Sequence, residues 1–329
     1  MPPKLKGMRF LQTSLPSIKE PGRNEGSDRG RRKTRTSQRG LFSNRWLPYF
    51  LLLPQLLVVV VFFIWPALQA LVESFYQVNA FGLGARFSGI SNFIFVLTSG
   101  TYLYSVEVTI VYSLLTTLLS MGIGLLVASQ VDKILKGRAV YRTIFAWTYA
   151  VPAAVSGSLW LFVFNPQIGV GSQLLASLNI PWNFTVNLTD AMTLIVIATV
   201  WQQAAYNFLF FTAGLQAIPR EVLEAASLDG AGAFKRFWQV IFPLLSPTTF
   251  YLLVMNIIYV FFSTFSIIDI ATQGGPHNGT DTLVYRIYQD AFQNSNTSIA
   301  AAETVLLIIF VSALTVVQFR SINRRVHYQ

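Results

Sequence analysis

The chain reads as an all-α integral membrane protein with six transmembrane helices. Three observations predict this. Only 12% of its 329 residues are charged and 53% are hydrophobic, roughly half the charge of an ordinary soluble domain, about 25%. Six apolar runs reach the ~20 residues that a helix needs to cross the hydrocarbon layer. The basic residues fall almost entirely on alternate sides of those runs. In lipid every backbone donor and acceptor must be satisfied internally, so the runs are expected to be helices.

The elements follow in order. Residues 1–45 form a basic Ser/Gly/Arg-rich tail with little to bury, expected to be disordered. The six-helix transmembrane body is expected over 46–320, and 321–329 form a short C-terminal tail. The first span is uncharged from Trp46 to Val72 and contains Pro54 and Pro66. The second runs from about Leu103 to Ser129, with Glu107 near one end. The third, Tyr141 to Phe164, contains Pro152, and the fourth covers Ala191 to Leu215. The fifth, about Ser246 to Ile270, is entered through Pro247. The sixth, about Ile299 to Phe319, has Glu303 near its start. Each internal proline removes a helix hydrogen bond and is expected to bend or break its helix.

Charge orients the bundle. With the N-terminus inside, 22 of the 24 Lys and Arg residues face the cytoplasm. Only Arg86 and Arg286 remain outside. Lys and Arg are retained on the cytoplasmic side of a membrane, so both termini are placed there.

Composition also excludes function classes. There is no Cys, hence no disulfide or thiolate metal site. His277 and His327 are too far apart for an HExxH metal motif. Gly is never followed by Lys, so no GxxxxGK[ST] phosphate loop exists. The basic excess is explained by the tail and by topology, which removes the motive for nucleic-acid binding. A secondary transporter often shows internal repeats and ionisable groups deep in its spans; neither is evident.

One charged stretch interrupts the apolar pattern, "EAASLDGAGAFKRFWQVIFP", Glu224 to Pro243. The segment 219–243 reads as helix–turn–helix on the cytoplasmic side. Pro219 suits a first helical position. Glu221 and Glu224 sit where the helix dipole favours acids. Gly230 is suited to a left-handed helix end. Phe234, Phe237, Trp238 and Ile241 recur at helical spacing on one face, and Pro243 is expected to end the second helix.

The motif resembles the EAA loop of permease subunits of bacterial ABC importers. Glu224, Ala225, Ala226, Gly230, Ala231, Phe237 and Pro243 match its pattern in register, and Asp229 lies within it. The resemblance implies a type I importer (MetI-like) transmembrane fold. It also implies that this loop is a coupling helix seated on an ATPase subunit, which binds the ATP; the chain itself is expected to need no cofactor. The implied partners are a second permease, two ATPase subunits and an extracytoplasmic solute-binding protein, in the bacterial inner membrane. "TYAVPAAVSGSLW" and "ATQGGP" resemble the carbohydrate-uptake, maltose-type branch, in which Gly274, Gly275 and Pro276 are expected to face the binding protein. "YNFLFF", "STFSIIDIATQGGP" and the C-terminal "LTVVQFRSINRRVHYQ" are similar to permeases for sn-glycerol 3-phosphate. That implies this solute or a glycerophosphodiester, with a sugar as the alternative.

Polar residues inside spans are costly and therefore candidate functional groups. Spans three to five carry Tyr149 and Ser156, then Gln202, Gln203, Tyr206 and Asn207, then Asn256, Tyr259, Ser263 and Thr264. The resemblance places Tyr149, Gln202, Gln203, Tyr206, Asn256 and Ser263 along the solute path. Hydrogen bonding between helices is the structural alternative for each.

Overall fold

The computed structural model describes residues 47–78, 84–133 and 138–323. The expected tail, 1–45, and the chain beyond 323 lie outside the described residues. Contacts divide the chain into a unit ending at Leu56 and a second from Leu57 onward. The described part of the first unit is helical from Leu47.

The first span is one helix, α1, Tyr49–Glu73. Pro66 does not break it. Val60–Ile64 form a π-helical turn in which the Trp65 N–H reaches the Val60 carbonyl. That extra residue per turn makes room just before the proline, a known way of absorbing irregularity in a helix. A two-stranded hairpin follows, β1 Tyr76–Val78 and β2 Ala85–Phe87, with Gln77 opposite Arg86. After α2, Ser91–Thr98, comes the second span, α3, Gly100–Lys133.

The third predicted span is a broken pair, α4 Arg138–Tyr149 and α5 Ala153–Val163, bent by 95°. Pro152 sits at the break in extended conformation. It has no N–H to continue α4, and it sets φ for the start of α5. After α6, Val170–Ser177, the fourth span is α7, Leu188–Gln216. Asn187 caps α7 by accepting from the Thr189 N–H at 2.9 Å, and Asp190 lies in its first turn. Both features stabilise a helix N-terminus.

The predicted helical hairpin is present. Its first arm is α8, Arg220–Leu228. Its second, α9, comprises Ala233–Arg236, a π turn Phe237–Ile241 and Phe242–Leu244. Pro219 lies one position before the helix, not inside it. Nor does Pro243 end the second arm. As at Pro66, a π turn precedes the proline, here with the Phe242 N–H on the Phe237 carbonyl, and the helix continues to Leu244.

The fifth span, α10, covers Ser246–Ser263, with Pro247 in its permissive first turn. It is shorter than expected: the chain turns at Thr264 and resumes as α11, Phe265–Ala271. A short helix, α12, Leu283–Tyr288, continues through the π turn Gln289–Gln293. The last span is α13, Thr297–Asn323.

Helix α7 is the axis of the bundle. It buries Leu194, Ile195, Ala198, Phe208 and Phe211 against α3, α5 and α10–α11. By contrast, the side chains of α1 from Leu57 to Val72 are mostly exposed, Phe62 and Phe63 at 68% each. An apolar surface on that scale suits lipid or a partner helix, not water.

Candidate functional site

Three groups of side chains stand out, two of them where function was expected. The first is the α8–α9 hairpin. Gly230 adopts φ +76°. The Ala231 N–H bonds the Ala226 carbonyl at 3.1 Å and the Gly230 N–H bonds that of Ser227 at 3.2 Å. This double bond closes a helix by the Schellman arrangement. Arg236 Nη1 donates to Ser227 Oγ at 2.6 Å and ties the two arms together. Glu224, Ala225, Asp229 and Pro243 are exposed; Ala226, Ala231 and Phe237 are half-buried. The tip also bears two apolar side chains open to solvent, Leu228 (89%) and Phe234 (79%). Leu228 escaped the sequence reading because it lies off the aromatic periodicity.

The second group lies inside the bundle. Here the polar candidates separate by partner. Gln202 donates to the Val151 carbonyl at 2.6 Å and accepts from the Tyr259 hydroxyl at 2.9 Å. It thereby satisfies a backbone group freed by the break at Pro152. Asn256 is fully buried. Its Nδ2 donates to Asn207 Oδ1 at 2.7 Å, and Asn207 Nδ2 donates back to Asn256 Oδ1 at 3.2 Å. Ser120 joins that pair from α3. Gln203 is buried as well, with Oε1 unpartnered. Ser156 is likewise consumed, donating to the Ala198 carbonyl. In this conformation Gln202 and Asn256 therefore lock helices together. Tyr149 and Ser263 are exposed and Tyr206 is half-buried.

The third group was not anticipated. Asp281, Asp290 and Glu303 surround Arg286, with Arg286–carboxylate distances of 3.8, 3.1 and 4.0 Å. Asp281 and Glu303 are 0% and 2% exposed. Ser105 of α3 donates to Asp281 at 3.1 Å. Burial, opposed by Ser105 and Arg286 and reinforced by Asp290, pushes the Asp281 carboxyl up to about 6. Only the Arg286–Asp290 spacing at i, i+4 was legible beforehand. Beside this cluster, the loop with the expected "GGP" folds on itself. Gly274 has φ +76° and is buried so tightly that a Cβ would lie 2.8 Å from the Tyr285 ring. Gly275 and Pro276 are half-buried, while His277 and Asn278 are exposed. Among the described residues no group of His, Asp or Glu is arranged to hold a metal.

A bundle with a broken span, a polar interior and an exposed helical hairpin at one end has the architecture of a membrane-embedded transport subunit. The chain belongs to the family of binding-protein-dependent transport system inner membrane components, matched over residues 120–328; it is a transport component of the inner membrane. It is 50% identical over 291 residues to the sn-glycerol-3-phosphate transport system permease protein UgpA of Brucella abortus biovar 1 (strain 9-941), covering 88% of this chain and 99% of that one. The fold is that of ABC importer permeases. A chain of a bacterial ABC transporter that imports the acidic polysaccharide alginate superposes with TM-score 0.75 at 19% identity, covering 86% of this chain and 96% of that one. A second alginate transporter structure, in complex with a pentasaccharide-bound periplasmic protein, gives TM-score 0.72 at 18% identity, over 83% and 92% of the chains.

Proposed function

We propose that this chain is the permease subunit through which sn-glycerol 3-phosphate, or a glycerophosphodiester, crosses the inner membrane. A separate ATPase supplies the energy by pressing on the α8–α9 hairpin, and both termini of this chain are cytoplasmic. A second permease completes the path, and a periplasmic binding protein delivers solute at the opposite end, near the α11–α12 loop.

The observation that carries the reading is the hairpin. Its charges, Glu224 and Asp229, flank exposed Leu228 at a turn fixed by Gly230. A rigid, half-apolar tip of this kind transmits force as a body, the way packed elements move in switching proteins. The buried cluster around Arg286 does not favour a proton-coupled transporter. Asp281 and Asp290 lie outside the long spans, on the α11–α12 loop and the end of α12, so the cluster fastens that segment to α3 and α13. The solute assignment rests on 50% identity over 88% of the chain to a glycerol-3-phosphate permease. The interior candidates are neutral, which suits passage of an anion: amides and hydroxyls offer donors without the deep Coulomb trap of a buried Lys.

The test is ATPase stimulation of the reconstituted complex by binding protein loaded with sn-glycerol 3-phosphate, glycerophosphodiesters or sugars. Stimulation by the first two is expected. Stimulation by sugars alone overturns the solute assignment.

A further inference from the structure

A cavity of about 440 Å³ opens between the hairpin that follows the first span and the turn that leads into the last. Its walls are mostly amides and hydroxyls: Gln77 of β1, Asn92 of α2, and Asn294, Asn296 and Ser298 before and at the start of α13, with Phe95 at the rim. The outer edge of β1 is pinned into this wall. Asn92 Nδ2 donates to the Ser74 and Tyr76 carbonyls, both at 2.9 Å, and the Val78 N–H donates to Ser298 Oγ at 2.9 Å. These bonds use both amide hydrogens of Asn92, which is 1% exposed, and leave its Oδ1 without a partner. A buried acceptor left unpaired costs free energy until a donor reaches it. The Gln77 amide and Asn296 Nδ2 also have no partner among the described residues. A water occupies about 30 Å³ of liquid, so the space admits a group of many heavy atoms.

Position and charge narrow the ligand. Helix α1 has 25 residues and ends at Glu73. At 1.5 Å per residue it rises about 37 Å, more than the ~30 Å hydrocarbon layer. Its end therefore stands among headgroups, and the cavity lies between that end and the start of α13 at Thr297. By the order of the spans this is the face opposite the α8–α9 hairpin. Arg86 stands directly across from Gln77 in the β1–β2 pair, and side chains so paired share one face of the ladder. Its guanidinium thus flanks the cavity. Arg86 is exposed and makes no ion pair among the described residues, whereas Arg286 is ringed by three carboxylates. Below the rim, Leu68, Val72, Ile94 and Phe95 form an exposed apolar surface, from 52% to 61%.

We propose that this cavity holds the headgroup of a glycerophospholipid whose alcohol carries a hydrogen-bond donor, ethanolamine or glycerol. The Arg86 guanidinium pairs with the phosphodiester, an interaction that Arg makes with two parallel hydrogen bonds. The ammonium or hydroxyls of the headgroup enter the amide-lined space and supply the donor that Asn92 Oδ1 lacks. Gln77 and Asn296 add neutral donors to the same headgroup oxygens. The acyl chains follow the apolar surface of α1 and α2. A choline headgroup carries the same phosphate but no N–H or O–H, so it leaves Asn92 unsatisfied. A soluble glycerophosphodiester has the headgroup chemistry without the chains, and the apolar rim then has nothing to hold. The bound lipid would fasten the first span to the last at one leaflet, away from the interior amides.

The experiment uses the full-length protein, delipidated in detergent. It is titrated with phosphatidylethanolamine, phosphatidylglycerol and phosphatidylcholine of identical chains, and bound lipid is counted by native mass spectrometry. The ethanolamine and glycerol lipids are expected to fill one site at least tenfold more tightly than the choline lipid. Arg86→Gln is expected to weaken both at least fivefold. Gln77→Trp, on an exposed strand, fills the cavity and is expected to cause the same loss. Equal binding of the three lipids, tight binding of none, or wild-type affinity in either variant overturns the proposal. Should Gln77→Trp fail to fold, Arg86→Gln, an exposed polar exchange, decides alone. Glycerophosphoethanolamine, the headgroup without chains, is expected not to displace the bound lipid at equal concentration. Displacement would make the cavity a site for a soluble phosphodiester and overturn the lipid assignment.

Discussion

At Gly230 the limit on substitution is set by backbone conformation alone. A Cβ there would meet nothing within 4 Å, yet φ is +76°. An L-residue pays about 1–2 kcal/mol in the left-handed region, with Asn among the few that visit it readily. A β-branched residue fares worst. Gly230→Asn is therefore expected to retain most ATP-driven uptake, and Gly230→Val to lose at least tenfold while still inserting. Uptake in proteoliposomes, alongside copurification of the ATPase, checks both; normal transport by Gly230→Val would remove the hairpin from coupling. Gly274 presents the opposite case, limited by space as well as by φ, because Tyr285 occupies the Cβ position. The need for Gly230 was legible in sequence, since a glycine between two helical patterns has few other uses. The engagement of Asn256 was not. A sequence shows that an amide lies in a span, but its partner Asn207 is 49 positions away on another helix.

Among the elements, prolines were legible only in part. Pro152 lies at the 95° break, with its loosened carbonyl neighbour Val151 bound by Gln202. Pro66 and Pro243 are absorbed by π turns, which depend on how the preceding turn packs and leave no compositional mark. The α12 segment was missed for a related reason: it is held by charges brought together from separate elements. Asp281 of the loop faces Ser105 of α3, Arg286 of α12, Asp290 of the following π turn and Glu303 of α13. Its folded pKa, about 6, lies above the unfolded value near 3.8. The folded state thus binds the proton more tightly. That contribution is complete below about 3.8 and is lost as pH rises through about 6. Lowering the pH from 7.5 to 5.5 is expected to raise the thermal midpoint of the detergent-solubilised protein. Asp281→Asn keeps an acceptor for Ser105 and is expected to reduce that dependence. An identical pH profile in Asp281→Asn would show that Asp281 is not the titrating group.

For the whole molecule, the strongest sequence signal was physical scarcity. Charge is rare enough that its placement specifies a topology, and the six apolar runs map onto five long helices and one bent pair. What composition could not convey is which apolar surface faces lipid and which faces a partner, because both are built from the same residues. The topology itself makes a sharp prediction, favoured by the lack of native cysteine. Gly232→Cys places a thiol on the hairpin, at φ −60° and with nothing within 4 Å. Ser177→Cys and Gln293→Cys place thiols on exposed sites of α6 and the α12–α13 segment. With 22 of 24 basic residues expected on one side, inverting the bundle would carry most of that positive charge across the membrane. A membrane-impermeant maleimide added to spheroplasts is thus expected to label Ser177→Cys and Gln293→Cys directly, and Gly232→Cys only after permeabilisation. Labelling of Gly232→Cys in intact spheroplasts would invert the orientation and leave the hairpin out of reach of any cytoplasmic ATPase.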